Sequence, residues 1–307
     1  MTYDTVKIEP DRSSNEHDNG RCGPSTGRQL TAFLCGPRAH GTRILAMAND
    51  SPGMTIDADM ASQALLDTWR HLFAFLPDGW TENESGAFAG VSGVALPTLN
   101  GVWVGDVGIA AETVSGLLDR VEATGLPYCL QVRPRGTAHL RELAARRAMI
   151  SDDDVPLMAF TDPSALDASR HAEGPVIREL QPAEAGRHAS ALAAGFEAPV
   201  EFFEQLMTPR VLGAPGVRAY LGEVDGQPVT TALGVTLGAH VGIFNVATPP
   251  ECRGHGFGAA VTARAVTDGL EAGATWSWLQ ASPSGYRIYE RRGFRTLERW
   301  HCWIAAN

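Results

Sequence analysis

The sequence predicts a mixed α/β fold (an α+β mixed sheet) built from two related units in tandem. Three observations point to it. The chain has 307 residues, which suits two domains of about 150 each better than one. Apolar runs of strand length alternate with segments of helical periodicity in both halves. The halves also match each other. Glu122, Leu130, Gln131 and Pro134 recur as Glu271, Leu279, Gln280 and Pro283 at one constant offset, and Arg146-Arg147-Ala148-Met149 resembles Arg291-Arg292-Gly293-Phe294 slightly further on. Each half ends in the order strand, helix, strand, helix, strand, as a duplication would produce.

Taken in order, residues 1–29 are polar, with Asp11, Ser13, Asn15 and Asp18, and read as a disordered tail. Residues 30–161 make the first unit. A helix is predicted over 61–75 and strands over 84–94 and 97–106, the second carrying an Asn100-Gly101 turn signal. Val114, Leu117, Leu118 and Val121 follow the i, i+3, i+4, i+7 pattern of one helix face, which Gly125 ends. A strand over 127–132, a helix over 137–147 and a strand over 155–160 complete the unit. Residues 162–174 mix Asp, Pro, Ser, His and Gly and read as a linker.

The second unit spans 175–307. Strands are predicted over 176–180, 217–224, 228–237, 241–247, 275–280 and 294–304, with Asp225-Gly226 as a hairpin turn. Helices are predicted over 182–194, 200–206, 256–271 and 284–292. Trp276, Trp278, Trp300 and Trp303 alternate within strands, which suits core or sheet-face packing.

Composition narrows the function. A hydrophobic fraction of 44% with 20% charged residues allows an ordinary core. The formal charge of −10 argues against a nucleic-acid binder, which carries a basic face, and suits cationic small molecules such as amines. Five cysteines, at 22, 35, 129, 252 and 302, lack the spacing of a zinc ribbon or redox pair, and an odd count does not make a full disulfide framework. No metal is therefore expected, and a reducing compartment fits. With no apolar run of about 18 residues and no secretory pattern at the start, a cytoplasmic protein without membrane contact is expected.

One segment carries chemistry. In Val246-Ala247-Thr248-Pro249-Pro250-Glu251-Cys252-Arg253-Gly254-His255-Gly256-Phe257-Gly258, an apolar strand runs through a Pro turn into a glycine loop that opens a helix. Unpaired N–H groups at a helix start favour anions, and glycines let a ligand approach the backbone. The expected ligand is a phosphate or pyrophosphate. A Walker A loop is excluded because no Lys follows the glycines. The dinucleotide fingerprint does not fit the spacing of Gly254, Gly256 and Gly258.

Arg253, Gly256 and Gly258 fill the positions of a pyrophosphate loop written Arg or Gln, two residues, Gly, one residue, Gly or Ala. Downstream, Ser282-x-x-Gly285-x-x-Ile288-Tyr289-x-x-x-Gly293-Phe294 follows one helix and one strand later. Together these resemble the GCN5-related N-acetyltransferase superfamily over about 130 residues. Ser282 departs from the Asn usual at its position, and Ser282 before Pro283 is also a good helix start.

The resemblance implies two tandem acetyltransferase-like domains, the C-terminal one holding acetyl-CoA or another acyl-CoA as co-substrate. It implies CoA contacts from Val246, Arg253, Gly254, His255, Gly256, Phe257, Gly258 and Ser282. It also implies a bulge in the strand before the loop, splaying that strand from the next. The backbone N–H of Val246 is then the donor to the thioester oxygen, Tyr289 the general acid for the leaving thiolate, and attack by the amine is direct. Glu223 and His240 are the candidate general bases, beside a water chain. Cys252 reads as an inert thiol.

The first half lacks the loop. Residues 105–113 contain no Arg-x-x-Gly-x-Gly, Glu112 places negative charge at the helix start, and Ala144 stands opposite Tyr289. It reads as a degenerate unit that shapes the substrate pocket or stabilises the second half. The expected activity is acyl transfer from CoA to a small-molecule amine. The alternatives are an acyl carrier protein as donor and a non-catalytic acyl-CoA sensor or partner module.

Overall fold

The computed structural model describes residues 55–106, 108–135, 137–162 and 174–305. The tail predicted at 1–29, the first residues of the first unit and most of the predicted linker lie outside them.

The first half runs α1 (Ala58–Phe73), β1 (Trp80–Glu84), β2 (Ala87–Val91), a 3-10 turn (Pro97–Leu99), β3 (Asn100–Val104), α2 (Ala111–Glu122), β4 (Tyr128–Val132), α3 (Ala138–Arg146), β5 (Ile150–Ser151) and β6 (Val155–Phe160). The second runs β7 (Val176–Leu180), α4 (Ala185–Phe196), α5 (Val200–Leu206), α6 (Pro209–Leu212), β8 (Val217–Val224), β9 (Gln227–Leu237), β10 (His240–Ala247), α7 (Phe257–Glu271), β11 (Trp276–Gln280), α8 (Tyr286–Arg291) and β12 (Arg295–Ala305).

Local chemistry explains the boundaries. The Asp57 carboxylate accepts from the Met60 N–H at 2.9 Å and starts α1. Ala61, Leu65, Trp69, Leu72 and Phe73 then form its buried face. Asp225 and Gly226 both take positive φ, 51° and 76°, as a tight turn between β8 and β9 demands.

One predicted turn is corrected. Asn100-Gly101 does not turn the chain but opens β3. The Asn100 side chain is fully buried; it accepts from the Ser92 N–H and donates to the carbonyls of Val94, Leu96 and Pro127. It stitches the loop before β3 to the start of β4, where a turn would expose it.

All the described strands join one mixed sheet in the order β1-β2-β3-β4-β12-β6-β11-β10-β9-β8-β7, with β5 beside β12. The two halves share a plan. An antiparallel run β1-β2-β3 or β8-β9-β10 precedes a parallel partner, β4 after α2 or β11 after α7. Their final strands are exchanged. β6 lies against β11 of the second half, with Leu279 opposite Met158, while β12 lies against β4 of the first, with Trp303 opposite Leu130. The matched glutamines meet there, Gln280 donating to Gln131 at 3.2 Å.

The core lies on both faces of this sheet. On one face α1, α4, α5 and α6 share a single apolar cluster that spans both halves and includes Leu65, Trp69, Leu192, Phe203, Trp278 and Trp300. On the other, α2 and α3 cover the first half and α7 and α8 the second. Each buried Leu or Phe contributes about 1.5–3 kcal/mol. A buried ionic cluster also crosses between halves. The Glu298 carboxylate receives both Nε (2.9 Å) and Nη2 (3.0 Å) of Arg133, the Ser62 hydroxyl (2.8 Å) and the Trp300 indole N–H (2.8 Å). Four donors compensate the cost of taking that charge out of water.

Candidate active site

The site begins as a fault in β10. From His240 to Gly242 this strand pairs in parallel with β11, opposite Trp276 to Trp278, and there the pairing stops. On its other edge the register against β9 slips by one residue between Phe244 and Ala247. Asn245 sits in the slip with φ 54°. Left-handed backbone is costly for most L-residues, and Asn is among the few that visit it routinely. Neither Asn245 nor Val246 has a partner in either ladder. The extra residue bends β10 away from β11.

The resulting gap is a cleft. Ile243, Phe244, Asn245 and Val246 line it from β10, Gln280 and Ser282 from the end of β11, and Tyr289 from α8. Trp69 of α1 and Phe196 of α4 close the side facing the shared core. The structure thus brings Val246, Ser282 and Tyr289 together. Glu223 and His240 do not line the cleft. Glu223 is held by Arg178 (3.3 Å) and Arg187 (2.7 Å); the His240 ring accepts from the Trp278 indole N–H at 3.2 Å, and burial lowers its pKa.

At one end of the cleft, β10 leads into the glycine loop. A 3-10 turn (Pro250–Cys252) precedes Gly254 and Gly256, whose φ values are 84° and 80°. A Cβ at either glycine would meet no atom within 4 Å. Their backbone is therefore open on that side, and the positive φ rather than crowding demands glycine. The first helical hydrogen bond of α7 runs from Ala260 N–H to the Gly256 carbonyl at 3.0 Å. The N–H groups of Phe257, Gly258 and Ala259 precede it and carry the partial positive charge of a helix start.

Arg253 clamps the loop in place. Its guanidinium donates to the carbonyls of Thr248 (3.1 Å) and Gly195 (2.9 Å) and to the Glu197 carboxylate (3.0 Å). Its side chain thus ties the loop to the end of α4. His255 is exposed and stacks on Phe257 with ring centres 5.4 Å apart. Cys252 is a free, half-buried thiol.

At the other end stands Tyr289. Its ring packs edge-on against Phe294 at 5.9 Å. No protein group among the described residues hydrogen-bonds its hydroxyl, and burial raises its pKa above the ordinary tyrosine value. The Ser282 hydroxyl accepts from the Gly285 N–H at 3.1 Å and lies 3.1 Å from the Ser284 hydroxyl. It caps the turn leading into α8 and lines the cleft as well.

Between β3 and β4 of the first half no such gap opens. β3 and β4 stay paired from Gly101 with Cys129 through Val104 with Val132, the last residue of each strand. The matched turns are otherwise alike. Met149 N–H donates to the Ala144 carbonyl at 3.0 Å, and Phe294 N–H to the Tyr289 carbonyl at 3.1 Å. Ala144 therefore occupies the backbone position of Tyr289 without its hydroxyl.

Among the described residues, no helix is long and apolar enough to cross a membrane. Residues 187–294, which hold the cleft and the loop, match the model of the Acetyltransferase (GNAT) family. No curated protein sequence matches the chain. Solved structures do. A GCN5-related N-acetyltransferase from Kribbella flavida aligns with a TM-score of 0.61 at 16% identity, over 81% of this chain and 96% of its own. A functionally unknown conserved protein from Staphylococcus epidermidis aligns at 0.56 and 14% identity, over 75% and 95%. A GCN5-related N-acetyltransferase from Sphaerobacter thermophilus aligns at 0.51 and 18% identity, over 79% and 84%. At such identities the likeness is one of fold, and it extends over both halves. Residues 187–294 are accordingly the part of this chain that matches the Acetyltransferase (GNAT) family, and the likeness beyond them is one of fold.

Proposed function

We propose that this domain moves an acyl group, acetyl in the first instance, from CoA to the amine of a small molecule by direct attack. The observation that carries this reading is the cleft opened by the β10 bulge, with the glycine loop and helix start at one end and Tyr289 lining the other. The residues suit CoA. The open backbone at Gly254 and Gly256 and the N–H groups of Phe257, Gly258 and Ala259 form a cradle for a pyrophosphate. The gap between β10 and β11 suits an extended arm. CoA, when bound, supplies a thioester as acyl donor.

The chain's own groups divide the work. The Val246 N–H, outside both ladders, stabilises the negative charge that grows on the carbonyl oxygen. One such donor is worth roughly 3 kcal/mol. The Tyr289 hydroxyl, kept protonated by burial, gives its proton to the departing sulfur. The amine attacks without an acyl-enzyme: the C–N bond forms, the C–S bond breaks, and the proton shed by the amine nitrogen restores the Tyr289 hydroxyl, directly or through water. The pyrophosphate cradle favours CoA over an acyl carrier protein, whose arm lacks the adenosine diphosphate. Retention of Tyr289 beside the loop favours catalysis over sensing.

Titration calorimetry with CoA tests the reading. One site per chain is expected, and none after Gly256→Glu, which adds a carboxylate at the cradle. Two equivalent sites, none in the parent protein, or unchanged binding by the variant would refute it.

A further inference from the structure

The cleft shares its inner wall with a neighbouring cavity. Trp69, Phe244 and Asn245 line it and also line a second cavity on the face away from Tyr289. That cavity is bounded by Leu72, Leu76 and Leu99 from the first half and by Leu206, Val211 and Leu233 from the second. Apart from the Trp69 indole N–H, its only polar side-chain groups among the described residues belong to Ser92 and Asn245. Ser92 is already engaged, its hydroxyl donating to the Asn100 side chain at 3.1 Å. Among the described residues no charged side chain lines either cavity.

We propose that this second cavity holds an apolar chain of the acceptor, whose nucleophile reaches the cleft past Asn245, so that the acceptor is an amine with an aliphatic tail and not a polycation. The inference rests on the transferase reading above and adds the substrate class. A polycation would place an ammonium among leucines with no carboxylate to meet it, and burying an unpaired charge is strongly disfavoured. An alkyl chain gains from each methylene taken out of water. Trp69 supplies a second, independent sign of a ligand. It is 5% exposed, and its indole N–H is buried with no acceptor among the described residues. A buried donor is seldom left unpaired, so a lone pair on the acceptor, beside its alkyl chain, would satisfy it. The cavity lies beyond the cleft as seen from Tyr289 and the loop, so a chain in it belongs to the partner arriving from the opposite face of the sheet.

The test is calorimetry on the full chain loaded with CoA, titrated with propylamine, butylamine, pentylamine, hexylamine and spermidine. The ammonium groups of the four alkylamines share one acidity, so differences report the chain. Kd is expected to fall with each added methylene, by up to about fourfold each until the cavity is filled, with spermidine weaker than hexylamine. Leu72→Gln and Leu206→Ala are each expected to reduce that slope and leave CoA binding as it was.

A flat series, no amine binding, or spermidine tighter than hexylamine overturns the inference and leaves the transferase reading standing. A second arm binds acetyl-, butyryl- and hexanoyl-CoA to the free chain. Tightening along that series with a flat amine series would give the cavity to the donor's acyl chain and overturn the acceptor assignment. Failure of CoA itself to bind removes both readings.

Discussion

At the scale of single residues, two buried titratable groups make opposite use of the same desolvation. For Tyr289, burial penalises the phenolate, so the hydroxyl stays protonated throughout the neutral range and beyond the ordinary tyrosine value. Tyr289→Phe keeps the ring against Phe294 and removes only the hydroxyl. Turnover is expected to fall by about 10²–10⁴-fold, with CoA affinity and melting temperature close to the parent's. Equal turnover when chemistry limits the rate would take Tyr289 out of the mechanism.

His188 is the converse. Fully buried on α4, its ring is pushed down to about 4 from 6.5 by desolvation. The Thr231 hydroxyl donates to the Tyr220 carbonyl at 2.7 Å, so it accepts from His188 Nδ1–H at 2.8 Å. Nε2 keeps its lone pair and has no partner among the described residues. Between pH 6.5 and 4 only the unfolded chain takes up this proton. Stability is therefore complete above 6.5 and declines as pH falls, by about 2 kcal/mol at pH 5 and about 3 kcal/mol in full. Urea midpoints at pH 7.5 and 5 should show the loss, and His188→Asn, which does not titrate, should lack that share of it.

At the scale of elements, the informative one is β10. Its slip depends on Asn245 at φ 54°. Asn245→Val sets a β-branched residue in left-handed backbone and is expected to cost about 1–2 kcal/mol of stability and to weaken CoA binding as the strand straightens towards β11. Asn245→Gly accepts the same φ and should leave CoA affinity near the parent value. If both variants bind CoA alike, the slip does not shape the cleft.

Elements also show what the sequence made legible. The loop and the helix bearing Tyr289 could be read because their residues are contiguous and their glycines sit at fixed spacing. The bulge in β10 follows from the resemblance, and the Asn inside the apolar run Ile243-Phe244-Asn245-Val246 marks its place, since Asn tolerates left-handed backbone. Trp69 and Phe196 were not legible as cleft residues, since an apolar residue on a helix face looks the same whether it meets core or ligand. β1 was missed because its residues, Trp-Thr-Glu-Asn-Glu, are mostly polar and partly exposed at the sheet edge, and β5 because it has two residues. The continuous apolar run Val-Pro-Leu-Met-Ala-Phe marks β6 as buried, but periodicity names no neighbour, so the exchange of final strands was out of reach.

At the scale of the whole molecule, that exchange makes the halves interdependent. Removing the first half would strip β6 from β11 and from the first part of β12, and would remove α1 from the shared core with Leu65, Trp69 and Phe73. A fragment of residues 175–307 is therefore expected to bind no CoA and to show no cooperative melting, although it contains the loop and Tyr289. The full chain should melt in one transition by both far-UV circular dichroism and tryptophan fluorescence. A fragment that binds CoA as the parent does would show that the exchanged strands are dispensable.

The same arrangement sets an order on the birth of the protein. A nascent chain emerges from the ribosome beginning with its first half, at about 5–20 residues per second. β4 then waits for the stretch of β12 from His301 to Ala305, roughly 170 residues later, on the order of 10–30 s of translation. Throughout that interval β4 has an open edge of unpaired N–H and carbonyl groups, the kind of edge that recruits stray strands. Two halves so alike in plan are thus unequal in time: the first is committed early and left ajar, and only a segment synthesised much later can shut it.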